Sequence, residues 1–201
     1  GNGVCIVTYQ EQKVVFKKKS SKPNLLLNLL DARVSAYLGK KIHFIPQFLD
    51  KEEYFWEKFI ISRPLNSKKE AEEFYRRVGY LLAYSYILNI SDLHFENLIS
   101  ANITPTLVDV ETIFSITPFD TIANNEATFQ IIENSRNSVL STGLLPIAEA
   151  DKIFGGDTSG VLGGTLIGEA KIVVNYNRDD VHVEKKKYQI KNQDHLPYFL
   201  N

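Results

Sequence analysis

A chain of 201 residues that is 44% hydrophobic and 11% aromatic can bury a substantial core as one or two domains, which excludes disordered and collagen-like classes. Its 23 basic and 24 acidic residues leave a net charge of -1, so neither nucleic acid nor a membrane is expected as the main partner. The single Cys5 cannot close an internal disulfide, no Cys/His cluster has zinc-ligand spacing, and no apolar run approaches the roughly 20 residues of a bilayer span, so a reducing cytoplasm is the expected compartment.

The chain contains no methionine and starts inside a strand-like run, from which we expect a segment of a longer protein. VCIVTYQ and KVVFKKK read as a β-hairpin turning at Glu11 and Gln12, with Lys17 at the end of its second strand. Pro23 and Asn24 open NLLLNLLDARVSAYLG as a helix that stops at Gly39. Two further strands are expected from about Phe44 to Leu49 and from Phe55 to Ile61, before a turn at Pro64. NSKKEAEEFYRRVGYLLAYSYIL carries the strongest helical signal. Ser67 and Glu70 have capping-box spacing, and Ala71, Phe74, Val78, Leu81, Ser85 and Leu88 recur at intervals of three and four, which puts them on one buried face. A polar loop, ISDLHFEN, comes next, and TPTLVDVETIF supplies a short strand that carries Asp109 at its end.

The polarity of this last region calls for a chemical account. In DLHFEN, Asp92, His94 and Asn97 fall at positions one, three and six, and Asp109 lies twelve residues beyond Asn97. A loop supported at both ends by buried elements can hold such groups in fixed positions. Phosphoryl transfer from ATP needs these parts: an Asp for the attacking hydroxyl, an Asn and an Asp to hold Mg²⁺ against the phosphates, and a lysine on an early strand. Lys17 is the natural candidate for the lysine. Each group also has a plainer reading. Asp92 suits a turn, His94 a structural role, and the run Lys17 to Lys19 a solvated strand edge. Asp109 differs because an acid among Thr106, Leu107, Val108 and Val110 is costly to bury without a cation or donor.

DLHFEN followed by LVDVETIF resembles the signature of the dehydratase domain of class II lanthipeptide synthetases (LanM), whose core is similar to lipid kinases. The likeness extends over EEFYRRVGYLLAYSYIL, SVLSTGLLP, GDTSGVLGG and DHLPYFLN, nearly the whole chain. The resemblance implies an α+β, two-lobed kinase-like fold truncated at both ends, with residues 1–62 as the small lobe and 63–201 as part of the large lobe. EKFIISRPL would join the lobes and offer backbone groups to adenine. It further implies ATP and Mg²⁺ as cofactors and a precursor peptide, leader plus core, as substrate. Ser and Thr of that peptide would be phosphorylated, and phosphate would then be eliminated to dehydroalanine or dehydrobutyrine. By the same resemblance Lys17 contacts the ATP phosphates, Asp92 serves the substrate hydroxyl, Asn97 and Asp109 ligate Mg²⁺, and His94 and Glu111 complete the site. Asp31 on the first helix is the expected acidic partner of Lys17. Only GNG would remain of the phosphate-covering loop. An upstream Asp-x-His pair, the downstream elimination residues and the zinc cyclase domain would lie in the remainder of the synthetase. The competing readings are a lipid or small-molecule kinase and a nucleotide-binding module without catalysis.

Overall fold

The computed structural model of the chain describes residues 3–114, 130, 133–134, 137–147, 156–176, 178–191 and 194–199. It begins with an antiparallel hairpin, β1 (Val4–Tyr9) and β2 (Gln12–Lys17), in which Tyr9 pairs with Gln12. The turn therefore falls on Gln10 and Glu11, one residue earlier than expected. Both have positive φ, 46° and 66°, the backbone of a two-residue hairpin turn whose twist matches the strands.

Helix α1 (Lys22–Leu38) starts with a proline in its first turn and ends at Gly39, whose φ of 60° lets its N–H reach Ser35 O. The left-handed conformation favours glycine, so the helix stops where the sequence indicates. Ile42, Phe44, Ile45 and Pro46 are buried but form no strand. Their polar backbone is served instead by side chains and a distant amide: Ile42 N donates to Ser35 Oγ (2.7 Å), Phe44 N to Asp31 Oδ2 (3.1 Å), and Phe44 O accepts from Leu107 N (2.6 Å). The strand expected from Phe44 is thus only β3 (Phe48–Asp50). It pairs with β4 (Phe55–Lys58), which ends before the expected Ile61, in a sheet ordered β1-β2-β4-β3.

Helix α2 (Lys68–Ile87) buries Phe74, Val78, Leu81 and Ser85, with Ala71 and Leu88 half-buried. Ser67 Oγ accepts the Glu70 N–H at 3.2 Å. The Glu70 carboxylate reaches back to the Asn66 N–H (2.7 Å) and also to Asn102 Nδ2 (3.0 Å), so the cap ties the helix start to the next hairpin. That hairpin is β5 (Leu98–Ala101) with β6 (Thr104–Leu107). Strand β5 was not expected: it follows the polar loop directly, and Asp109 stands two residues past β6 rather than at a strand end. Farther along, a short 3-10 turn (Val139–Thr142) precedes β7 (Gly156–Asp157), β8 (Thr165–Val174) and β9 (His182–Lys191), which pair antiparallel in that order.

One apolar core unites these parts. Leu27 of α1, Phe44 and Ile45 of the buried loop, Phe74, Val78 and Leu81 of α2, Leu93, Leu98, Leu107, Leu144 and Val161 form a single cluster. Full burial of each such side chain stabilises by about 1.5–3 kcal/mol. Among the described residues no helix is long and apolar enough to cross a membrane.

Candidate active site

Strands β1, β2 and β4 on one side and residues 97–109 on the other enclose a cleft of about 400 Å³. Its lining includes Lys17, Glu57, Asn97 and Asp109, together with Lys58, Phe59 and Ile60 of the expected connecting segment. Strand alternation aims Val4, Ile6 and Val15 at the same cleft, Ile6 being paired directly with Val15. Val4 and Ile6 are 56% and 59% exposed, an apolar wall open to solvent.

Lys17 ends β2 opposite Phe55. Its ammonium pairs with Glu57 Oε1 at 2.6 Å and donates to the carbonyl of Val108. Glu57 lies two residues from Phe55 on the same face of β4, the diagonal position at which long side chains meet across a pair. This corrects the expectation for Asp31. That carboxylate is buried on α1 and committed to Phe44 N (3.1 Å) and to His43 Nδ1 (3.6 Å), where it supports the buried loop. Burial raises the pKa of Glu57, while the charge and hydrogen bond of Lys17 pull against that rise. Glu57 was missed because strand register is needed to see its approach to Lys17; the signal available was one acid inside the aromatic run FWEK.

Asp109 is met by a different lysine. Lys19 Nζ lies 2.7 Å from Asp109 Oδ1 and 3.0 Å from Glu111 Oε2. Burial lowers the Lys19 pKa, but hydrogen bonds and charge from both carboxylates outweigh it, and the net direction is upward.

The Asp92, His94 and Asn97 loop is compact. Asp92 has a φ of 65°, tolerable because a short polar side chain accepts the left-handed region more readily than most. Its carboxylate is 59% exposed and stands 3.5 Å from His94 Nε2. His94 Nδ1 accepts the Glu96 N–H at 3.2 Å, and its Nε2, 3.5 Å from the Asp92 carboxylate, also lies 3.2 Å from Asn97 Nδ2. Asn97 Nδ2 donates to Asp92 O at 2.9 Å, so its amide oxygen remains as an acceptor.

Distant segments hold this loop from behind. Leu93 N donates to Thr142 O (2.9 Å) and Phe95 N to Thr158 O (3.2 Å), and His94 forms a bridge with Ser159. Gly143 and Gly160 face the Leu93 backbone; a Cβ on Gly160 would sit 2.4 Å from Leu93 O. The segments STGLLP and GDTSGVLGG therefore have a concrete position behind the loop. His195 of DHLPYFLN completes the floor, its carbonyl accepting Ser100 N at 2.8 Å and its Nδ1 standing 3.3 Å from Phe95 O. Leu200 and Asn201 of that run, and Gly1 and Asn2 of GNG, lie outside the described residues.

Among the described residues no three His, Cys, Asp or Glu side chains are grouped to hold a metal. Mg²⁺ bound with a nucleotide does not require such a group, because it takes one or two protein ligands and completes its shell with phosphate and water. The acceptor oxygen of Asn97 and the Asp109 carboxylate are hard ligands of that kind, and an ammonium already bridges Asp109 and Glu111. The donor set fits.

Comparison with known proteins places the sequence. The family described as a domain of unknown function (DUF4135) matches residues 1–201. The lacticin 481/lactococcin biosynthesis protein LcnDR2 of Lactococcus lactis subsp. lactis is 35% identical over 209 residues, an alignment that covers 100% of this chain and 23% of that protein.

Proposed function

Because this chain belongs to the DUF4135 family of class II lanthipeptide synthetases (LanM), we propose that it forms the nucleotide and metal site of an ATP-dependent dehydratase acting on Ser and Thr of a precursor peptide. The observation that carries this reading is the joint placement of Lys17, Glu57, Asn97 and Asp109 around one cleft with an apolar wall. The sheet with α1 corresponds to the small lobe of a two-lobed kinase-like fold, and α2 with the β5–β6 hairpin to the large lobe.

In this reading adenine lies against Val4, Ile6 and Val15, and the backbone near Lys58 to Ile60 meets its polar edge. Lys17 carries three donors, of which Glu57 and Val108 take two, and the third serves a phosphate oxygen. Asn97 and Asp109 hold Mg²⁺, which when bound neutralises charge on the phosphates. Asp92, exposed and 3.5 Å from His94 Nε2, accepts the proton of the attacking Ser or Thr hydroxyl. The γ-phosphoryl group passes to that oxygen with ADP leaving. Later loss of the phosphate together with the Cα proton gives the alkene.

The test uses the full-length protein with a lantibiotic-type precursor peptide, ATP and Mg²⁺, followed by mass spectrometry. Loss of water is expected from the wild type. Asp109→Asn should reduce phosphorylation about a hundredfold or more, because charge stabilisation at the phosphates is lost. Undiminished turnover by that variant at saturating Mg²⁺ would refute the ligand role, and phosphate appearing only on a small alcohol would shift the reading to a small-molecule kinase.

A further inference from the structure

Lys17 and Lys19 divide two tasks that the sequence alone assigns to one lysine. Lys18 turns away: its backbone N–H binds Gly3 O at 3.1 Å, and its side chain packs where a Gly3 Cβ would stand. Lys17 is fixed in the interior by Glu57 and Val108 O. Lys19 is half-buried at the cleft edge, 28% exposed, and its ammonium touches Asp109 and Glu111 together. These carboxylates are 32% and 64% exposed, so the two ion pairs are of the partly solvated kind that is individually weak and readily exchanged.

We propose that Lys19 is a counter-ion that holds Asp109 and Glu111 together before nucleotide binds, yields Asp109 to the divalent cation when Mg²⁺–ATP arrives, and then meets the incoming phosphates. This rests on the nucleotide-site reading given above. Two observations favour an exchange over a fixed surface bridge. Asp109 Oδ1, the atom that Lys19 holds at 2.7 Å, belongs to the carboxylate assigned to the metal, so ammonium and cation compete for one ligand. The arriving phosphates also offer the displaced ammonium a denser negative charge within the same cleft. Glu111 thereby acquires a role: it keeps Lys19 at the mouth, where a long flexible side chain can swing between two anions. The exchange moves charges only, and no bond is made or broken.

The experiment measures Mn²⁺ binding by nucleotide-free full-length protein through its electron paramagnetic resonance signal, alongside the KM for ATP. Lys19→Met should bind Mn²⁺ about tenfold more tightly than wild type, the size expected for removing two partly exposed ion pairs. The same variant should show a raised KM for ATP. Lys19→Arg, which keeps the charge, should return the Mn²⁺ affinity toward the wild-type value. Unchanged, weaker or undetectable Mn²⁺ binding by Lys19→Met would overturn the proposal, as would an unchanged KM. Asp109→Asn run in parallel separates the two readings. If it leaves Mn²⁺ binding untouched, the metal-site reading itself fails. If it abolishes binding while Lys19→Met changes nothing, only the exchange fails.

Discussion

Lys17 and Glu57 form a buried ion pair, with side chains only 7% and 2% exposed. Removing charges from water is costly, and such a pair is held by its geometry rather than by a large net gain. Its two members are therefore not independent. Glu57→Ala would leave the Lys17 ammonium buried without its acid, which is expected to cost about 3–5 kcal/mol in a denaturant titration. Replacing both, as Lys17→Met with Glu57→Leu, should recover most of that stability and still abolish binding of a fluorescent ATP analogue. If the double variant bound the analogue with wild-type affinity, the pair would be part of the scaffold alone. Asp92, Asn97 and Asp109 stand out in the sequence as polar groups at fixed spacing between apolar elements, while Asp92 by itself also suits a turn. Glu57 does not stand out, since the diagonal approach across β2 and β4 exists only once the register is fixed. Lys19 was hidden by the ambiguity of a lysine run, which resolves only when Lys18 is seen to turn outward.

Secondary-structure elements were legible where a repeating pattern decides them and obscure where tertiary partners do. Helix α2 was readable because its apolar residues recur at helical spacing and Ser67 marks its start. The stretch Phe44 to Gln47 looked like a strand for want of one fact: Asp31 and Ser35 of α1 answer the backbone N–H groups of Phe44 and Ile42. Strand β5 was lost because its four residues follow the polar loop without a turn signal. At the junction of the helices, Glu73 of α2 binds Lys40 (2.7 Å) and Arg77 (3.0 Å) and also meets Arg76. The hydrogen bond from Lys40 is the largest of the effects that depress its pKa from 4.5 to about 2; burial opposes it as the next largest, and the hydrogen bonds from Arg77 and Arg76 add to the fall. An acid whose pKa falls on folding contributes stability that is complete above its unfolded value and is lost as pH drops through the folded one. Between about pH 4.5 and 2 the wild type should lose this contribution, and Glu73→Gln, which never had it, should show a flatter fall in Tm across the same window. Parallel curves for the two proteins would mean that the cluster contributes nothing in solution, as many exposed pairs do.

At the scale of the whole molecule, the site depends on segments far apart in the chain. The cleft takes one wall from β1, β2 and β4 and the other from residues 97–109, while the loop that carries Asp92 is backed by Thr142 to Leu144 and Thr158 to Val161. The pattern of the sequence shows those backing segments only as glycine-bearing runs; their task becomes visible when Gly143 and Gly160 are found against the backbone of Leu93. The proposed nucleotide wall of β1, β2 and β4 and the positioning of the loop are therefore separable in space, which a single methyl group can exploit. In Gly160→Ala the new Cβ would stand 2.4 Å from Leu93 O, with Leu144 and Leu98 side chains at 3.1 and 3.3 Å, so the loop backbone must move because the tight side is not a flexible side-chain end. The cleft wall formed by β1, β2 and β4, against which the proposed nucleotide lies, is on other elements and has no reason to shift. Displacement of a reacting group by about 1 Å costs on the order of a hundredfold in rate. Gly160→Ala in the full-length protein should therefore lower kcat for phosphorylation by about that factor while the KM for ATP stays within about twofold, with kcat referred to the folded fraction measured by circular dichroism because unfolding also lowers apparent kcat without changing KM. An equal rise in KM with kcat preserved would place the effect in the nucleotide cleft and show that the two walls do not act independently.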